Sequence, residues 1–281
     1  MEIYTYIKPL QQALNTLKYN GKSIGFVPTM GALHQGHASL IKQSLQDNDI
    51  TVVSIYVNPT QFNEATDYQN YPRDFATDKS LLESLGCDII FAPMNEEMYP
   101  EEDNRIFDFG YLGEVMEGAL RPGHFNGVAQ IVSKLFEIVK PHRAYFGQKD
   151  FQQLAIIKSL VKQQGYDIDI IPCPIVREED GLALSSRNKL LKEEERKIAP
   201  LIYQTLLEAR KMACCKSVEE TERWVKENLN KNPHMRVEYF KIVFENNLMP
   251  VYDWKDSGEK IGCIAVRLGE VRLIDNVRFF C

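Results

Sequence analysis

Two histidines at helical spacing, His34 and His37, stand where a predicted buried strand gives way to a helix. They belong to the segment PTMGALHQGH (28–37), in which Gly31 and Gly36 allow the backbone to approach a ligand closely. A helix start points N–H groups and the positive end of its dipole at whatever lies there, which suits phosphate. Two imidazoles on one face could also donate hydrogen bonds to phosphate oxygens as charge builds in a transition state. The segment therefore predicts phosphate chemistry.

The same two histidines have simpler interpretations, as a helix cap or as an HxxH metal pair. No third ligand with metal-like spacing stands nearby in the sequence, which argues against zinc. The order strand, glycine, histidine, helix favours phosphate over a cap alone.

Amide and cationic side chains occur in two further loops. Asn58 and Gln61 follow the predicted strand 50–57 and could fix the hydroxyls or carboxylate of a small polar substrate. Because Asn-Pro favours turns, ordinary turn chemistry is the alternative. Arg121 and His124 lie in a loop with proline and glycine before an apolar helix. They could bind an anion, and a plain loop explains them equally well.

A second junction between strand and helix carries Lys149, Asp150 and Gln153. A lysine at a helix start opposes the dipole, and a bound phosphate would explain it, whereas Asp150 suits an N-cap. Gln153 follows about one helical turn after Lys149. The later segment Ser185–Arg187 (SSR) offers hydroxyls and a guanidinium that suit a triphosphate, the alternative being a serine N-cap beside a solvated arginine.

The elements that must position these loops alternate between strands and helices in the first half of the chain. Strands are predicted at 23–28, 50–57, 87–92, 143–146 and 167–171, and helices at 36–46, 74–85, 127–139 and 151–164. Strands separated by helices imply a parallel sheet with right-handed crossovers. In such sheets ligands bind at the carboxyl ends of the strands, which is where most of these loops fall.

The second half of the chain has a different pattern. Charged amphipathic helices are predicted at 192–212 and 217–230, followed by short strands at 237–243, 262–268 and 270–274. We therefore predict an α/β protein with a parallel-sheet domain over residues 1–178 and a smaller α+β domain over residues 179–281.

Composition disfavours several classes of function. The net charge of −6 and the absence of a long basic run disfavour nucleic-acid binding. No apolar run is long enough to span a membrane, and the N-terminus lacks the pattern of a signal peptide. The six cysteines form no CxxC pair, which predicts reduced, mostly structural thiols in a cytoplasmic protein.

Taken together, the motifs resemble the pantothenate synthetase (pantoate–β-alanine ligase) family. The matching blocks run in family order and are PTMGALHQGH, VVSIYVNPTQF, YPRD, RPGHFNGV, YFGQKDFQQL, REEDGLALSSRN and RLGEVRLIDN. The resemblance implies a Rossmann-like N-terminal domain that binds nucleotide and pantoate, a C-terminal lid domain and a homodimer. It also implies two chemical steps that use ATP and Mg²⁺. ATP and (R)-pantoate would give pantoyl adenylate and pyrophosphate, and β-alanine would then attack the adenylate to release pantothenate and AMP.

The resemblance also implies roles for individual residues. The catalytic groups would be His34, His37 and Lys149, with His37 as proton donor. The implied ATP contacts are Met30, Gly31, Ala32, Leu33, His34, Gln35, Gly36, His37, Gly147, Gln148, Lys149, Asp150, Val176, Leu184, Ser185, Ser186 and Arg187. Gln61 and Gln153 would hold pantoate, with Gln61 also near β-alanine. Asn58, Arg121 and His124 are further candidates for this pocket, and Asp78 is a candidate near Mg²⁺.

The sequence departs from the family pattern at three places. Residues Asn63–Asp67 differ from those usual in the family, and this difference is expected to affect a surface loop. Leu184 replaces a common methionine of similar volume. Ala129 and Gln130 replace a pair that usually contains threonine, which is expected to alter packing beside the pantoate pocket. None of these changes removes a proposed catalytic group.

Two alternative functions remain open at this point. A nucleotidyltransferase that keeps the adenylate as its product would release pyrophosphate without any need for β-alanine. A catalytically silent nucleotide-binding protein would be favoured by loss of His37, Lys149 or Gln153, and all three are present.

Overall fold

The computed structural model describes residues 1–62 and 65–280. Asn63 and Glu64, which belong to the first departure from the family pattern, lie outside the described residues, as does Cys281.

A six-stranded parallel sheet forms the first part of the molecule and confirms the predicted α/β class. The strands lie in the order β1-β4-β3-β2-β5-β6. Their bounds are Glu2–Tyr4 (β1), Ile24–Thr29 (β2), Ile50–Ile55 (β3), Ile89–Phe91 (β4), Arg143–Gly147 (β5) and Asp169–Cys173 (β6). Apolar runs such as ITVVSI in β3 are buried because helices cover a parallel sheet on both faces.

Nine helices accompany this sheet among the described residues. Their bounds are Ile7–Tyr19 (α1), Gln35–Asp47 (α2), Ala65–Asn70 (α3), Phe75–Leu85 (α4), Asn95–Met98 (α5), Tyr111–Glu114 (α6), Glu117–Leu120 (α7), His124–Val139 (α8) and Phe151–Gln164 (α9). The longest is α8, and its apolar residues recur at the helical period and are buried. A short 3₁₀ turn, Pro59–Gln61, follows β3.

The central strand β2 lies where the strand order reverses, between β3 and β5. It pairs with β3 along its whole length, Ile24–Thr29, but with β5 only at Gly25 and Phe26. Pro28 has no N–H, so it could not donate a backbone hydrogen bond to β5 in any case. A crevice at the carboxyl end of such a reversal is the usual ligand site of an open α/β sheet.

The second part of the chain is a smaller α+β unit. Three antiparallel strands, Met235–Phe244 (β7), Lys260–Leu268 (β8) and Val271–Phe279 (β9), pair in the order β7-β8-β9. Helices Glu193–Ile198 (α10), Leu201–Met212 (α11) and Val218–Asn230 (α12) accompany them, and a 3₁₀ turn covers Ser186–Leu190. The buried apolar side chains of these elements form a separate core around Phe240 and Leu206.

Contacts divide the chain into two compact units. The N-terminal unit comprises Met1–Gln148 and Ile156–Pro174, and the C-terminal unit comprises Lys149–Ala155 and the chain from Ile175 onward. The division after Pro174 falls four residues before the boundary predicted at 178 (178 − 174 = 4). The short segment with Lys149 groups with the C-terminal unit, a feature that the sequence pattern did not predict.

Several elements differ from the sequence prediction. The helix predicted over 192–212 is two helices, α10 and α11, which meet at Ala199 and Pro200. The backbone of Ala199 and Pro200 stays in the helical region, but proline has no N–H to donate to the preceding turn, so the break has a local cause. Strand β1 and helix α1 were not predicted, and α8 begins at His124 rather than Gly127.

The described cysteines form no disulfide; Cys87, Cys173 and Cys263 are buried, whereas Cys214 and Cys215 are exposed. Burial raises the pKa of the Cys87 thiol to about 12 and that of Cys173 to about 11, so both stay protonated and unreactive near neutral pH. Among the described residues, no helix is long and apolar enough to cross a membrane.

Candidate active site

The loop between β2 and α2 has a tightly folded backbone. Gly31 and Ala32 adopt consecutive left-handed conformations, with φ of 78° and 50°. Glycine adopts this conformation freely, whereas alanine does so at a cost. The Gly31 N–H donates to Thr29 Oγ1 (3.1 Å), and that hydroxyl donates in turn to the Ser54 carbonyl on β3 (2.7 Å). The loop is thus held against the end of the neighbouring strand.

A buried carboxylate on α4 holds the same loop from the other side. Asp78, which is 2% exposed, accepts hydrogen bonds from the N–H groups of Ala32 (2.9 Å) and Leu33 (2.7 Å), one on each oxygen. A Cβ on Gly31 would lie 2.8 Å from an Asp78 oxygen, so the backbone approaches this carboxylate too closely for a side chain. Asp78 therefore stabilises the left-handed turn that precedes the histidines.

His34 and His37 form a capping box at the start of α2. The Gly36 N–H donates to Nδ1 of His34 (3.1 Å), and the His34 N–H donates to Nδ1 of His37 (3.3 Å). A nitrogen that accepts a hydrogen bond carries no proton, so each neutral ring bears its proton on Nε2. The ring centroids lie 4.2 Å apart. Both rings thus use one nitrogen for the helix and have an N–H at the other end.

The start of α2 was expected to offer its backbone N–H groups to phosphate. Four N–H groups in and around this helix start are bound by side chains, namely those of Ala32, Leu33, His34 and Gly36. The helix cap, which was an alternative to the phosphate interpretation, is present in the structure. The phosphate interpretation itself stays a prediction.

Gln61 lies at the end of the 3₁₀ turn after β3, close to Met30. Its Nε2 donates to Met30 Sδ (3.0 Å), and its Oε1 accepts from Asn58 Nδ2 (3.3 Å). Asn58 is 1% exposed, donates to the Gly127 carbonyl (3.1 Å) and accepts from the Tyr99 hydroxyl (2.8 Å). These bonds give Asn58 a structural role in holding the turn beneath Gln61.

His124, the first residue of helix α8, holds the Gln61 backbone, and Arg121 contacts His124. Nδ1 of His124 lies 2.8 Å from the Gln61 carbonyl, and Nε2 lies 3.1 Å from Nη1 of Arg121. A guanidinium can only donate, so Nε2 accepts and the proton on Nδ1 is donated to Gln61. A Cβ on Gly127 would lie 2.3 Å from the Thr60 carbonyl, so this glycine lets α8 approach the turn. His124 thus holds the Gln61 backbone and Arg121 contacts His124, whereas anion binding by these two residues stays a prediction.

The departure at Ala129 and Gln130 has a packing role. Ala129 is fully buried, and Gln130 is 6% exposed. The Gln130 amide donates to the carbonyls of Asp103 (2.7 Å) and Arg105 (2.9 Å). It therefore fixes the segment that runs beside α8, as expected for a change in local packing.

A cavity of about 420 Å³ opens at the carboxyl ends of β2, β3 and β4. Its lining comes from the ends of these three strands and from the start of α4, and it includes Met30, Gly31 and Asp78. The cavity shows that the loops of the N-terminal unit enclose space large enough for a small ligand.

The C-terminal unit holds the remaining predicted ATP contacts from Lys149 onward. Lys149 pairs with its neighbour Asp150 (Nζ to Oδ2, 3.3 Å), and Asp150 precedes α9. Gln153 lies in the first turn of α9. Gly147 and Gln148 belong to the N-terminal unit, where the Gln148 N–H donates to the Cys173 carbonyl at the end of β6 (2.8 Å).

Val176 and Leu184 lie opposite each other in a narrow hairpin of the C-terminal unit. The Leu184 N–H donates to the Val176 carbonyl (3.0 Å), and the hairpin turns at Gly181, where φ is 93°. Ser185 caps the 3₁₀ turn that follows, since its Oγ accepts from the Arg187 N–H (3.2 Å). The fold thus brings Val176 and Leu184 together just before the SSR segment, and the serine N-cap that was the alternative for that segment is present.

Sequence reasoning assigned no role to three residues of the C-terminal unit that its contacts single out. Arg177 forms a two-pronged ion pair with Asp275 (2.7 and 2.8 Å), and Asn276 Nδ2 donates to the Lys149 carbonyl (3.1 Å). Asp275 and Asn276 end the block RLGEVRLIDN, which is one of the blocks that carry the family resemblance. The adjacent polar pair Asp275 and Asn276, which interrupts the alternation of apolar and polar residues in this strand, was the signal that could have found them.

The described residues contain no group of three or more His, Cys, Asp or Glu side chains arranged to hold a metal ion. Both oxygens of Asp78 already accept backbone N–H groups. The geometry therefore does not fit Asp78 as part of a dedicated protein cage for Mg²⁺.

Comparison with known sequences identifies one family. A family model described as pantoate-beta-alanine ligase matches residues 2–278. The chain is 56% identical over 279 residues to the pantothenate synthetase of Bacteroides fragilis strain YCH46, with 99% of each chain covered. It is 52% identical over 279 residues to that of Porphyromonas gingivalis strain W83, again with 99% of each chain covered.

Solved structures give the same result. The pantothenate synthetase from Thermus thermophilus superposes with a TM-score of 0.93 at 44% identity, and all of each chain is covered. The pantoate-beta-alanine ligase from Francisella tularensis, complexed with beta-gamma ATP and beta-alanine, superposes with a TM-score of 0.82 at 39% identity. That match covers 99% of this chain and 97% of the other.

Proposed function

Because this chain belongs to the pantoate-beta-alanine ligase family, we propose that it condenses (R)-pantoate with β-alanine through a pantoyl adenylate. The chain is a ligase that uses ATP, and its fold is that of pantothenate synthetases. In the first step a pantoate carboxylate oxygen attacks the α-phosphorus of ATP, and the bond to pyrophosphate breaks. In the second step the β-alanine amine attacks the acyl carbon, loses a proton and displaces AMP.

The histidine capping box is the observation that carries this proposal. Backbone N–H groups hold Nδ1 of both rings, so His34 and His37 carry their protons on Nε2, the atom that can donate to phosphate oxygens. The α-phosphate gains negative charge as pantoate attacks, and fixed donors at such a position contribute about 3 kcal/mol each to transition-state stabilisation. The cap locks the ring orientation before substrate binds, so little reorganisation is needed during reaction.

We assign the acid substrate to the pocket beside Met30. The Gln61 amide lies against Met30, and Asn58, His124 and Arg121 fix its position. A pre-positioned amide can hold the hydroxyls and carboxylate of pantoate with little loss of conformational entropy on binding. In this proposal Gln153 holds pantoate as well, and Gln61 also contacts β-alanine.

Lys149 and the SSR segment complete the ATP contacts in this scheme. A lysine ammonium neutralises phosphate charge, and the Ser185, Ser186 and Arg187 side chains supply hydroxyl and guanidinium donors that suit a triphosphate. These segments belong to the C-terminal unit, which we propose acts as a lid that excludes water from the reactive adenylate. The domain division at residues 178 and 179 is part of this proposal.

Mg²⁺ is proposed to reach the enzyme with ATP rather than in a protein cage. Mg²⁺ keeps several waters and is commonly held by substrate phosphates with few protein ligands. This mode of binding agrees with the structure, in which both oxygens of Asp78 accept hydrogen bonds from backbone N–H groups. When bound, it would neutralise phosphate charge.

We also propose that the enzyme is a homodimer in the cytoplasm. The buried thiols Cys87 and Cys173 suit a reducing compartment. Light scattering coupled to size-exclusion chromatography gives the mass directly, and a mass near 32.4 kDa at assay concentration would contradict the dimer.

Pyrophosphate exchange tests the proposed scheme. Labelled pyrophosphate should enter ATP only when pantoate is present, and AMP should be released only when β-alanine is added. Exchange without pantoate would remove pantoate as the acid substrate. Pyrophosphate release with no AMP after β-alanine would instead indicate a nucleotidyltransferase that keeps the adenylate. No exchange with any acid would leave a silent nucleotide-binding protein.

A further inference from the structure

A buried ion pair crosses the C-terminal unit beside the proposed ATP segments. Asp275 on β9 is 5% exposed, and Arg177 donates to both of its oxygens at 2.7 and 2.8 Å. The Asn276 N–H donates to one of the same oxygens at 2.7 Å. Burial raises the pKa of Asp275, while the Arg177 guanidinium opposes that shift. The carboxylate thus depends on its partners to remain charged.

Arg177 also fixes the hairpin that carries Val176 and Leu184. Its Nη1 donates to the Gly181 carbonyl at the tip of the hairpin (3.1 Å), and its guanidinium lies 3.5 Å from the centre of the Tyr203 ring. Gly181 packs against Tyr203, since a Cβ there would lie 2.7 Å from the ring. One guanidinium therefore joins the hairpin to β9 and to α11.

Asn276 extends the same set of contacts to the lysine segment. Its Nδ2 donates to the Lys149 carbonyl at 3.1 Å, and its own carbonyl lies 3.4 Å from Nη2 of Arg177. Asn276 is 7% exposed, so this bond forms away from bulk water. The backbone of Lys149 is thereby held by the residue next to the buried carboxylate.

We propose that three positioning residues fix Lys149 and the 176–184 hairpin relative to each other for ATP binding. These residues are Arg177, Asp275 and Asn276, and we call them the Asp275 cluster. This inference rests on the proposed function of Lys149, Val176 and Leu184. No member of the cluster is assigned a contact with substrate.

The chemistry of the cluster favours positioning over stability. Buried ion pairs are weak contributors to stability because the cost of removing two charges from water offsets their attraction. Their best-attested use is to fix one arrangement over others, because a shifted partner leaves a buried charge unpaired. A two-pronged arginine–carboxylate pair adds directional specificity to that effect.

Asn276→Ala is the direct test, because it removes the bond to Lys149 and leaves the ion pair in place. We expect the KM for ATP in pyrophosphate exchange to rise about tenfold, with the KM for pantoate changed less than about twofold. Asn228→Ala is the matched control, since Asn228 makes a comparable bond to Thr205 (3.3 Å) within the same unit. An Asn276→Ala enzyme with the wild-type KM for ATP would overturn the proposal.

Amide hydrogen exchange reports positioning without reference to activity. Residues 149–155 should take up deuterium faster in Asn276→Ala than in the wild type, and Asn228→Ala should match the wild type. Equal uptake in Asn276→Ala and the wild type would overturn the inference. Failure of pantoate-dependent exchange in the wild type would instead overturn the proposed function, so the two failures are distinguishable.

Arg177→Lys provides a second variant in case Asn276→Ala does not fold. Lysine keeps the charge next to Asp275 but cannot form the two-pronged contact or stack on Tyr203 in the same way. The KM for ATP should again rise while that for pantoate stays within about twofold, and an unchanged KM for ATP contradicts the proposal.

Discussion

At the scale of single residues, His34 and His37 serve the helix and the proposed substrate with opposite ends of the same ring. Each Nδ1 accepts a backbone N–H, and each Nε2 carries the proton. The helix start therefore fixes both the orientation and the tautomer of the proposed donors. A side chain that capped the helix equally well but lacked the second nitrogen would preserve the fold and lose the chemistry.

His37→Ala should slow adenylate formation by roughly 100-fold, because it removes one donor to the developing charge. Pyrophosphate exchange gives the rate, and thermal unfolding checks that the fold is intact. His234→Ala is the control, since His234 is exposed and lies outside the proposed site. Wild-type turnover in His37→Ala would remove His37 from the mechanism.

Asp78→Asn should lower kcat because it disturbs the turn that places the histidines. An amide can accept from only one of the two N–H groups and turns a donor towards the other, at a cost of about 1–3 kcal/mol in stability. A displaced loop should reduce kcat roughly 10- to 100-fold.

Pyrophosphate exchange and urea unfolding of Asp78→Asn measure the two effects separately. Asp49→Asn is the control, since Asp49 also accepts a backbone N–H, from Ser23 at 2.9 Å, but on an exposed surface. A normal kcat in a destabilised Asp78→Asn would restrict this residue to a purely structural role.

At the scale of elements, helix α8 and the 3₁₀ turn that carries Gln61 pack with no space for a side chain at Gly127. A Cβ there would lie 2.3 Å from the Thr60 carbonyl, a distance that real packing does not allow. Gly127→Ala should therefore displace the turn, destabilise the protein by about 1–3 kcal/mol and raise the KM for pantoate.

Gly113→Ala is the control for that substitution. A Cβ on Gly113 would meet only Phe109, at an ordinary distance of 3.6 Å. Calorimetry and initial rates distinguish the variants, and a Gly127→Ala enzyme with an unchanged KM for pantoate would show that the turn tolerates the shift.

Most elements of the sheet could be predicted because their signals are local. Apolar runs such as ITVVSI and the periodicity of α8 are visible within a few residues. The bonds of Asp78 to Ala32 and Leu33 could not be predicted, since they join positions 46 and 45 residues apart and depend on the packing of α4 against the loop. The same holds for Asn276 and Lys149, which are separated by 127 residues.

The break between α10 and α11 was a different kind of error. Pro200 was visible in the sequence, but the amphipathic pattern continued on both sides and outweighed it. The spacing of apolar residues indicates which helix faces are buried, but it does not show whether one helix continues. That depends here on Pro200, which has no N–H for the helical hydrogen bond.

At the scale of the whole molecule, an ion-pair network ties the segment after α5 to α8. Asp103, whose side chain is 3% exposed, pairs with Arg105 at 2.7 Å and with Lys134 at 3.3 Å. The hydrogen bond from Arg105 holds the pKa of the Asp103 carboxyl well below its ordinary value of 3.8. The ion pair therefore stabilises the folded protein at pH values above 3.8. This stabilisation is lost as the pH falls from 3.8 towards the lower pKa that Asp103 has in the folded protein.

Asp103→Asn should consequently be less stable than the wild type at pH 6, with a difference that shrinks as the pH falls below about 4. Urea unfolding midpoints of both proteins from pH 6 to pH 3 measure that difference. A difference that stays constant over this range would show that the charge of Asp103 does not contribute.

The position of β2 has a consequence for synthesis of the chain. Its second neighbour in the sheet is β5, so Gly25 pairs with Arg143, which follows 118 residues later (143 − 25 = 118). At about 5–20 residues per second, a ribosome needs roughly 6–24 s to supply that partner. During this time one edge of an apolar strand lies unpaired, the kind of surface that chaperones cover. The point between β2 and β5 where the strand order reverses is therefore among the later parts of the sheet to form.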